Sequence, residues 1–325
     1  MALLLSESDV RSLLTMPLAI KAVEDAFARL AAGNALSHSR QRLHLPGNSY
    51  LHYMAAVDGD GGYMGMKIYT SSREGLRFMI PLFKAKTGEL LALIQADCLG
   101  QMRTGAASGF ATKLLARPDT SELGIMGTGH QAETQLEAVT TVRKIKRIRA
   151  FGRDPERRRR FAREMEEKLR VSVEAVASAE EAVRDADILI TSTTASQPVV
   201  EGKWLRAGVH INAIGANFPQ KAELDADAVS RCDAIFVDSR EQSKLEAGDL
   251  IQAFQGDQSR WDKVKELADL VAGRVEGRTS SEQITLFKSN GIAIEDIVTA
   301  GRVYELALQR GIGNEVELWK ADSAS

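Results

Sequence analysis

The run Gly127-Thr128-Gly129-His130-Gln131-Ala132 follows the pattern G-x-G-x-x-A. In that pattern the first glycine permits a tight strand-to-helix turn. The second lets a pyrophosphate approach the backbone, and the small third residue lets the helix pack close to its strand. The N–H groups and positive dipole end at the helix start then face the phosphates. The apolar Leu123-Gly124-Ile125-Met126 before the loop and the helical pattern after it supply the context this motif requires. The chemistry suggested is hydride transfer with a nicotinamide dinucleotide, and Gly127, Gly129, His130 and Gln131 are its candidate contacts.

The end of the next strand bears on which dinucleotide. An acidic residue there bonds the ribose 2′-hydroxyl of NAD, but the chain reads Phe151-Gly152-Arg153-Asp154. Gly152 takes the usual acidic place, and the Arg153 guanidinium suits a 2′-phosphate that a carboxylate would repel. NADP(H) is favoured and NAD(H) remains open. Asp154 reads as an N-cap with Pro155 at the first helical position. The run Arg157 to Arg160 reads as a solvated helix face, with Arg157 as a further candidate for the phosphate.

Other residues invite acid–base or anion-binding roles. Lys67 sits between Met66 and Ile68 in a strand pattern. Burial there would lower its pKa and let it exchange protons near neutrality; a solvated strand lysine is the plain alternative. Arg40, Arg42 and His44 alternate and should share one strand face. Glu223 and Asp225 read as local turn and cap residues rather than a catalytic pair. Cys98 has no His–Asn set nearby in sequence and is not expected to be a nucleophile.

The elements that must position these residues fall into two textures. In the first third, a strand at the N-terminus precedes helix-start chemistry at Ser6 to Asp9 and an amphipathic run from Pro17 to Ala32 that stops at Gly33. Strand-like runs follow at 40–45, 50–57, 63–70, 78–85 and 90–95, the last two joined by Lys86-Thr87-Gly88. This is α+β patterning. After a small-residue helix over 99–116 and the break at Pro118-Asp119, short apolar strands alternate with helices: 123–126, 147–151, 171–176, 188–191, 209–214, 234–237 and 284–287. That implies a parallel sheet covered on both faces. The expected fold class is α/β: a Rossmann dinucleotide-binding domain over 116–299, plus an α+β substrate-binding and dimerisation domain over 1–115 and 300–325. The tail from Lys320 to Ser325 has no pattern and is expected to be frayed.

Composition narrows the function classes. The chain has 325 residues, 42 Lys plus Arg against 44 Asp plus Glu, and a net charge of −2. That excludes a broad basic face, so nucleic acid is not an expected partner. Two cysteines without ligand spacing, and five histidines without HExxH, argue against a metal site and for a reducing, cytoplasmic setting. No apolar run is long enough to span a bilayer.

Five segments together resemble the ornithine cyclodeaminase/mu-crystallin family. They are Gly65-Met66-Lys67, Arg103 to Ser108, the Gly127 to Ala132 loop, Asn212 to Asn217 continuing through Glu223-Leu224-Asp225, and Phe287 to Asp296. They run in family order over nearly the whole chain. The family includes ornithine and lysine cyclodeaminases, archaeal-type alanine dehydrogenase and ketimine reductases. The resemblance implies the two-domain architecture, a homodimer formed through the first domain, and a small imino-acid or amino-acid substrate.

It also implies roles. Arg103 would hold the substrate carboxylate, for which a guanidinium offers a planar bidentate fork; the alternative is an interdomain salt bridge. A second carboxylate-binding arginine would be Arg40, from its position relative to Met54, with Arg42 as runner-up; the family's Met-Pro-Ala is Met54-Ala55-Ala56 here. Lys67 would bind substrate and move protons. Thr104, Thr193, Lys221 and Ser289 resemble cofactor contacts, and Asn290 a contact on the nicotinamide and substrate side. Cyclodeaminases carry an aspartate base where this chain has Asn217. An asparagine orients groups by hydrogen bonding but takes up no proton, which argues against deamination and leaves imine reduction intact. The expected activity is NADP(H)-preferring reduction of a small imino acid or cyclic ketimine, reversible as amino-acid oxidation. The alternatives are a cyclodeaminase that recycles its own NAD, and a non-catalytic NADP(H)-binding protein.

Overall fold

The computed structural model describes residues 1–45 and 49–318; the tail read as frayed lies outside them. The chain forms two compact units, 1–103 with 292–318 and 104–291. The boundaries therefore fall at 103/104 and 291/292, not at 115/116 and 299/300. The helix Asp97–Leu115 runs unbroken past the first boundary, so the sequence break at Pro118 marks the helix's end, not the unit's. The last helix, Ala293–Arg310, belongs whole to the first unit.

In the first unit the strands are β1 (Ala2–Leu5), β2 (Ala35–Ser37), β3 (Gln41–Leu45), β4 (Ser49–Asp58), β5 (Tyr63–Ser72), β6 (Gly75–Lys84) and β7 (Leu90–Gln95). A short strand, Asn314–Val316, pairs with β1 at one edge; the order continues β1-β7-β6-β5-β4, and β2 and β3 both pair with β4. All pairs are antiparallel except β1 with β7. Ser6 caps the first helix with Asp9 in a capping box, and the helix Met16–Ala32 buries Ala19, Ile20, Val23, Ala26 and Phe27 before Gly33 ends it in the left-handed region. The helix Ala293–Arg310 packs on β4 and β5. Close approach requires glycine there: a Cβ on Gly301 would lie 2.7 Å from the Tyr63 ring, and one on Gly65 would lie 3.0 Å from Ile297. That approach brings the first turn of the helix to the inner face of β5.

The second unit is a doubly wound α/β domain. Its strands are β8 (Glu122–Met126), β9 (Arg147–Phe151), β10 (Ser172–Ala175), β11 (Ile188–Thr191), β12 (His210–Ala213), β13 (Ala234–Val237), β14 (Lys265–Glu266) and β15 (Thr285–Lys288). They are all parallel in the order β10-β9-β8-β11-β12-β15-β13-β14. Sheet order reverses between β8 and β11, the switch point where dinucleotides bind in such folds. Both faces are covered. Ile188 and Ile190 join Leu123 and Ile125 in one apolar cluster, whereas Leu189 joins Ile211 and Leu286 in the other. No helix among the described residues is long and apolar enough to cross a membrane.

Candidate active site

Strand alternation in the first unit puts Lys67 and Tyr69 on the inner face of β5, with Lys67 opposite Met54 of β4. Lys67 is only 5% exposed, which rules out the solvated strand lysine. Its Nζ donates to Asp296 Oδ1 at 3.1 Å. The same oxygen accepts from Arg103 Nε at 2.9 Å, and Arg103 Nη1 donates to Glu295 Oε2 at 2.8 Å. Arg103, in the second turn of its helix, is thus already bonded at two of its nitrogens, and its ion pairs lie within the first unit rather than between units. Glu295 and Asp296 stand in the first turn of the helix Ala293–Arg310, where the dipole favours anions.

The cluster tunes its lysine. Burial and the Arg103 charge pull Lys67 down to about 8, Asp296 opposes them, and Arg40 adds to the fall. Burial works against the Arg103 charge too, but Asp296 and Glu295 more than offset it. Arg40 is buried just before β3, not in it, so the face shared by Arg40, Arg42 and His44 is a strand face only from Arg42 on. Arg40 is the arginine whose field reaches Lys67; Arg42 lies opposite His52.

Beside these charges runs an aromatic ladder across four strands. Ring centroids are 4.4 Å apart for His44 and Tyr50, 5.5 Å for Tyr50 and His52, 4.2 Å for His52 and Tyr69, and 4.9 Å for Tyr69 and Phe78. Lys67 Nζ lies 5.9 Å from the Tyr69 ring centre and 5.5 Å from that of Phe78. Burial, then Arg42 and Arg40, push His52 down to about 4, so its ring is neutral at neutral pH. The first unit therefore pairs a cationic cluster with an uncharged, flat wall. That suits a small carboxylate with a planar body.

In the second unit the loop after β8 fits a dinucleotide phosphate. Gly127 has φ of +110°, and a Cβ there would lie 2.3 Å from Ser192 O. Gly129 is the N-cap of the helix His130–Val142 and supplies no side-chain cap, so the first-turn amides are not satisfied by a capping side chain. Ala132 is fully buried against the sheet. Gln131 is half-buried and His130 exposed on the same turn. Thr104, at the start of this unit, accepts at its carbonyl from Gln135.

At the end of β9, Gly152 is followed by an exposed Arg153, and Asp154 caps the next helix by accepting from the Glu156 and Arg157 amides. The run Arg157 to Arg160 is not uniformly solvated. Arg157 Nε donates to Thr128 O at 3.2 Å, and Arg158 Nη1 donates to Gly152 O at 2.8 Å. Only Arg159 and Arg160 make exposed helix-surface pairs, with Glu156 and Glu164.

The remaining site residues follow the carboxyl ends of β11, β12 and β15. Thr193 and Asn217 are half-buried in the loops after β11 and β12, and Lys221 Nζ lies 5.3 Å from the Phe218 ring centre. Ser289 Oγ and the Asn290 and Gly291 amides all donate to Asp238, so this turn is held from below. Asp225 is an N-cap as expected. Glu223 is not a turn residue: it is fully buried and accepts from Thr191, Thr193 and Gly215. The structure thus gathers Lys67, Arg103 and Arg40 in the first unit. The nucleotide-side residues, with Asn217 and Asn290, belong to the second. Sequence reasoning missed Glu295, Asp296, the ladder and Asp238; only the alternation of Tyr50 with His52 carried a local signal.

A model of the ornithine cyclodeaminase/mu-crystallin family matches residues 1–311. Delta(1)-pyrroline-2-carboxylate reductase of Bacillus cereus (strain ATCC 10987 / NRS 248) is 34% identical over 97% of this chain and 99% of its own length. Among solved structures, Thermococcus litoralis Delta(1)-pyrroline-2-carboxylate reductase in complex with NADH and L-proline superposes with a TM-score of 0.93 at 40% identity, covering 97% of this chain and 100% of that one. An archaeal alanine dehydrogenase dimer with bound NAD gives 0.92 at 35% identity, covering 98% and 99%. With the dinucleotide loop, the doubly wound sheet and the lysine–arginine cluster all in place, the chain belongs to the ornithine cyclodeaminase/mu-crystallin family.

Proposed function

We propose that this protein is an NAD(P)H-dependent reductase of small cyclic imino acids, reversible as oxidation of the corresponding amino acid. The observation that carries this reading is the buried Lys67, held between Asp296 and two arginines with its pKa lowered to about 8. Relatives that reduce Delta(1)-pyrroline-2-carboxylate support it. Arg103 and Arg40 bind the carboxylate, and the ladder meets the flat ring. The bound nicotinamide supplies the hydride. The Lys67 ammonium gives its proton to the imine nitrogen, so the C=N bond becomes CH–NH, and the neutral lysine regains a proton from water. Asn217 orients by hydrogen bonding and cannot serve as the base that cyclodeaminases carry at that position. Incubation with ornithine and NAD should release no ammonia, whereas Delta(1)-pyrroline-2-carboxylate should consume NAD(P)H. Ammonia from ornithine would show a cyclodeaminase instead.

NADPH is the preferred donor in this reading, although the relatives' structures hold NADH and NAD. Support comes from Gly152 in the acidic position, Arg153 beside it and Arg157 against Thr128. A Cβ on residue 152 would lie 2.7 Å from Thr128 Oγ1 and 3.2 Å from its Cγ2, so Thr128 must give way to a side chain there. Gly152→Asp combined with Thr128→Ala should lower the NADPH/NADH ratio of kcat/KM at least ~10-fold, about one charge-assisted hydrogen bond. An unchanged ratio would remove the basis for NADPH preference.

We also propose a homodimer through the outer face of the first unit's sheet, with a cytoplasmic setting that suits two free thiols. Leu36, Leu43, Leu51, Val57 and Met79 are exposed, and alternation and register put them on one face of neighbouring strands. A monomer rarely leaves such a face in water. Leu51→Glu with Met79→Glu should convert a dimer to a monomer by light scattering. A dimer that survives both changes would place the interface elsewhere.

A further inference from the structure

We propose that Glu223 is the positioning residue for the nucleotide-side loops of the second unit, acting as a carboxylate, and that Lys288 is the buried cation that favours this form. The proposal rests on the NAD(P)H reading above.

Glu223 Oε2 accepts from Thr191 Oγ1 at 2.7 Å and from Gly215 N at 2.7 Å, and Oε1 accepts from Thr193 N at 2.5 Å. One carboxylate therefore ties the loop after β11 to the loop after β12, the loop that carries Asn217. There is no room for slack: a Cβ on Gly215 would lie 2.3 Å from Thr193 O and 2.5 Å from Glu223 Oε1. The glycine-rich loop closes on the same point through Gly127 and Ser192 O.

The residue is itself clamped. Its amide and that of Leu224 donate to Asp249 Oδ1 at 2.6 and 2.9 Å, and its carbonyl accepts from the Val199 and Val200 amides. Asp249 Oδ2 lies 3.1 Å from Lys288 Nζ, with both side chains fully buried. Lys288 ends β15 directly before the turn Ser289-Asn290-Gly291, which Asp238 holds. The brace thus runs from Thr193 through Glu223, Asp249 and Lys288 to Asn290, along the carboxyl edge where this fold binds nucleotides.

Charge matters to this brace because all three donors aim at acceptor lone pairs. Protonation would turn one oxygen into a donor facing another donor and orphan a buried N–H or O–H. Burial, then Asp249, push the Glu223 pKa above the ordinary carboxylate value; Lys288, the Thr191 hydroxyl and the Thr193 amide oppose that rise and favour the anion. Without the Lys288 charge the carboxylate would take a proton at higher pH, and the loops would loosen with it.

The test is binding of NADH and NADPH, followed by nucleotide fluorescence between about pH 5.5 and 9. Glu223→Gln should weaken the tighter nucleotide roughly tenfold at neutral pH and lose no further affinity on acidification. Lys288→Met should bind within about threefold of wild type at the alkaline end but lose affinity at a pH about one unit higher than wild type. Thr191→Val removes one donor and keeps the volume, so it should shift that loss in the same direction even if the other variants fold poorly. Wild-type affinity in Glu223→Gln, or an unmoved acid limb in both Lys288→Met and Thr191→Val, overturns the proposal. A wild-type protein that binds neither nucleotide overturns instead the cofactor reading on which it stands.

Discussion

Lys67→Met should lower kcat for imine reduction about 10³-fold while NAD(P)H still binds within about threefold of wild type, the span expected for a lost general acid. Methionine matches the lysine stem in volume, so the site beside Tyr69 and Phe78 stays filled. Asp296 keeps its bond from Arg103 Nε, and Glu295 keeps the Nη1 bond, so Arg103 stays in place. Loss is then confined to the proton. The same group should set the pH profile of the native enzyme. With its pKa lowered to about 8, Lys67 is an ammonium below that pH and a neutral amine above it. Reduction, which needs the proton, should fall as pH rises through about 8, and amino-acid oxidation, which needs the free amine, should rise over the same interval. Loss of nucleotide binding with turnover would assign Lys67 a structural role.

Asp296→Asn should move that alkaline limb to lower pH by about one to two units. The sign follows from the cluster. Asp296 is the group that holds the Lys67 proton on, against burial, Arg103 and Arg40. Removing its charge leaves only the influences that drive the proton off. The fold should also lose about 3 kcal/mol, because Lys67 and Arg103 share one oxygen of this fully buried carboxylate. Glu295→Gln is the control. Glu295 meets Arg103 and is not among the leading influences on Lys67, so its loss should raise KM for the imino acid and move the limb far less. A limb that moves equally in both variants would show that Arg103, not Asp296, governs the lysine.

What could be read from the chain was whatever is local. The Gly127 to Ala132 loop, the Asp154 cap and the strands around them follow from neighbouring residues, and each stands as expected. Lys67 was legible as a lysine among apolar neighbours, but its partner Asp296 is 229 residues away and Arg103 meets Glu295 across 192. No periodicity links such positions; only the packing of the last helix on β5 does. Glu223 looked like a turn residue because two of its three donors, Thr191 and Thr193, lie about thirty residues back, at the end of β11 and just after it. The first boundary was misplaced because Pro118-Asp119 is a strong local break, whereas the true boundary lies inside an unbroken helix. Domain boundaries depend on contacts, and helix ends on caps and prolines.

In the proposed reaction a buried, cation-flanked lysine gives the proton to the cyclic imine. The most direct measurement is NAD(P)H consumption with Delta(1)-pyrroline-2-carboxylate by wild type and Lys67→Met side by side, with nucleotide binding checked on both. Turnover by the wild type, absent in a variant that binds the nucleotide normally, is the predicted result. Equal turnover by both proteins, or none by a wild type that binds NAD(P)H, would contradict it.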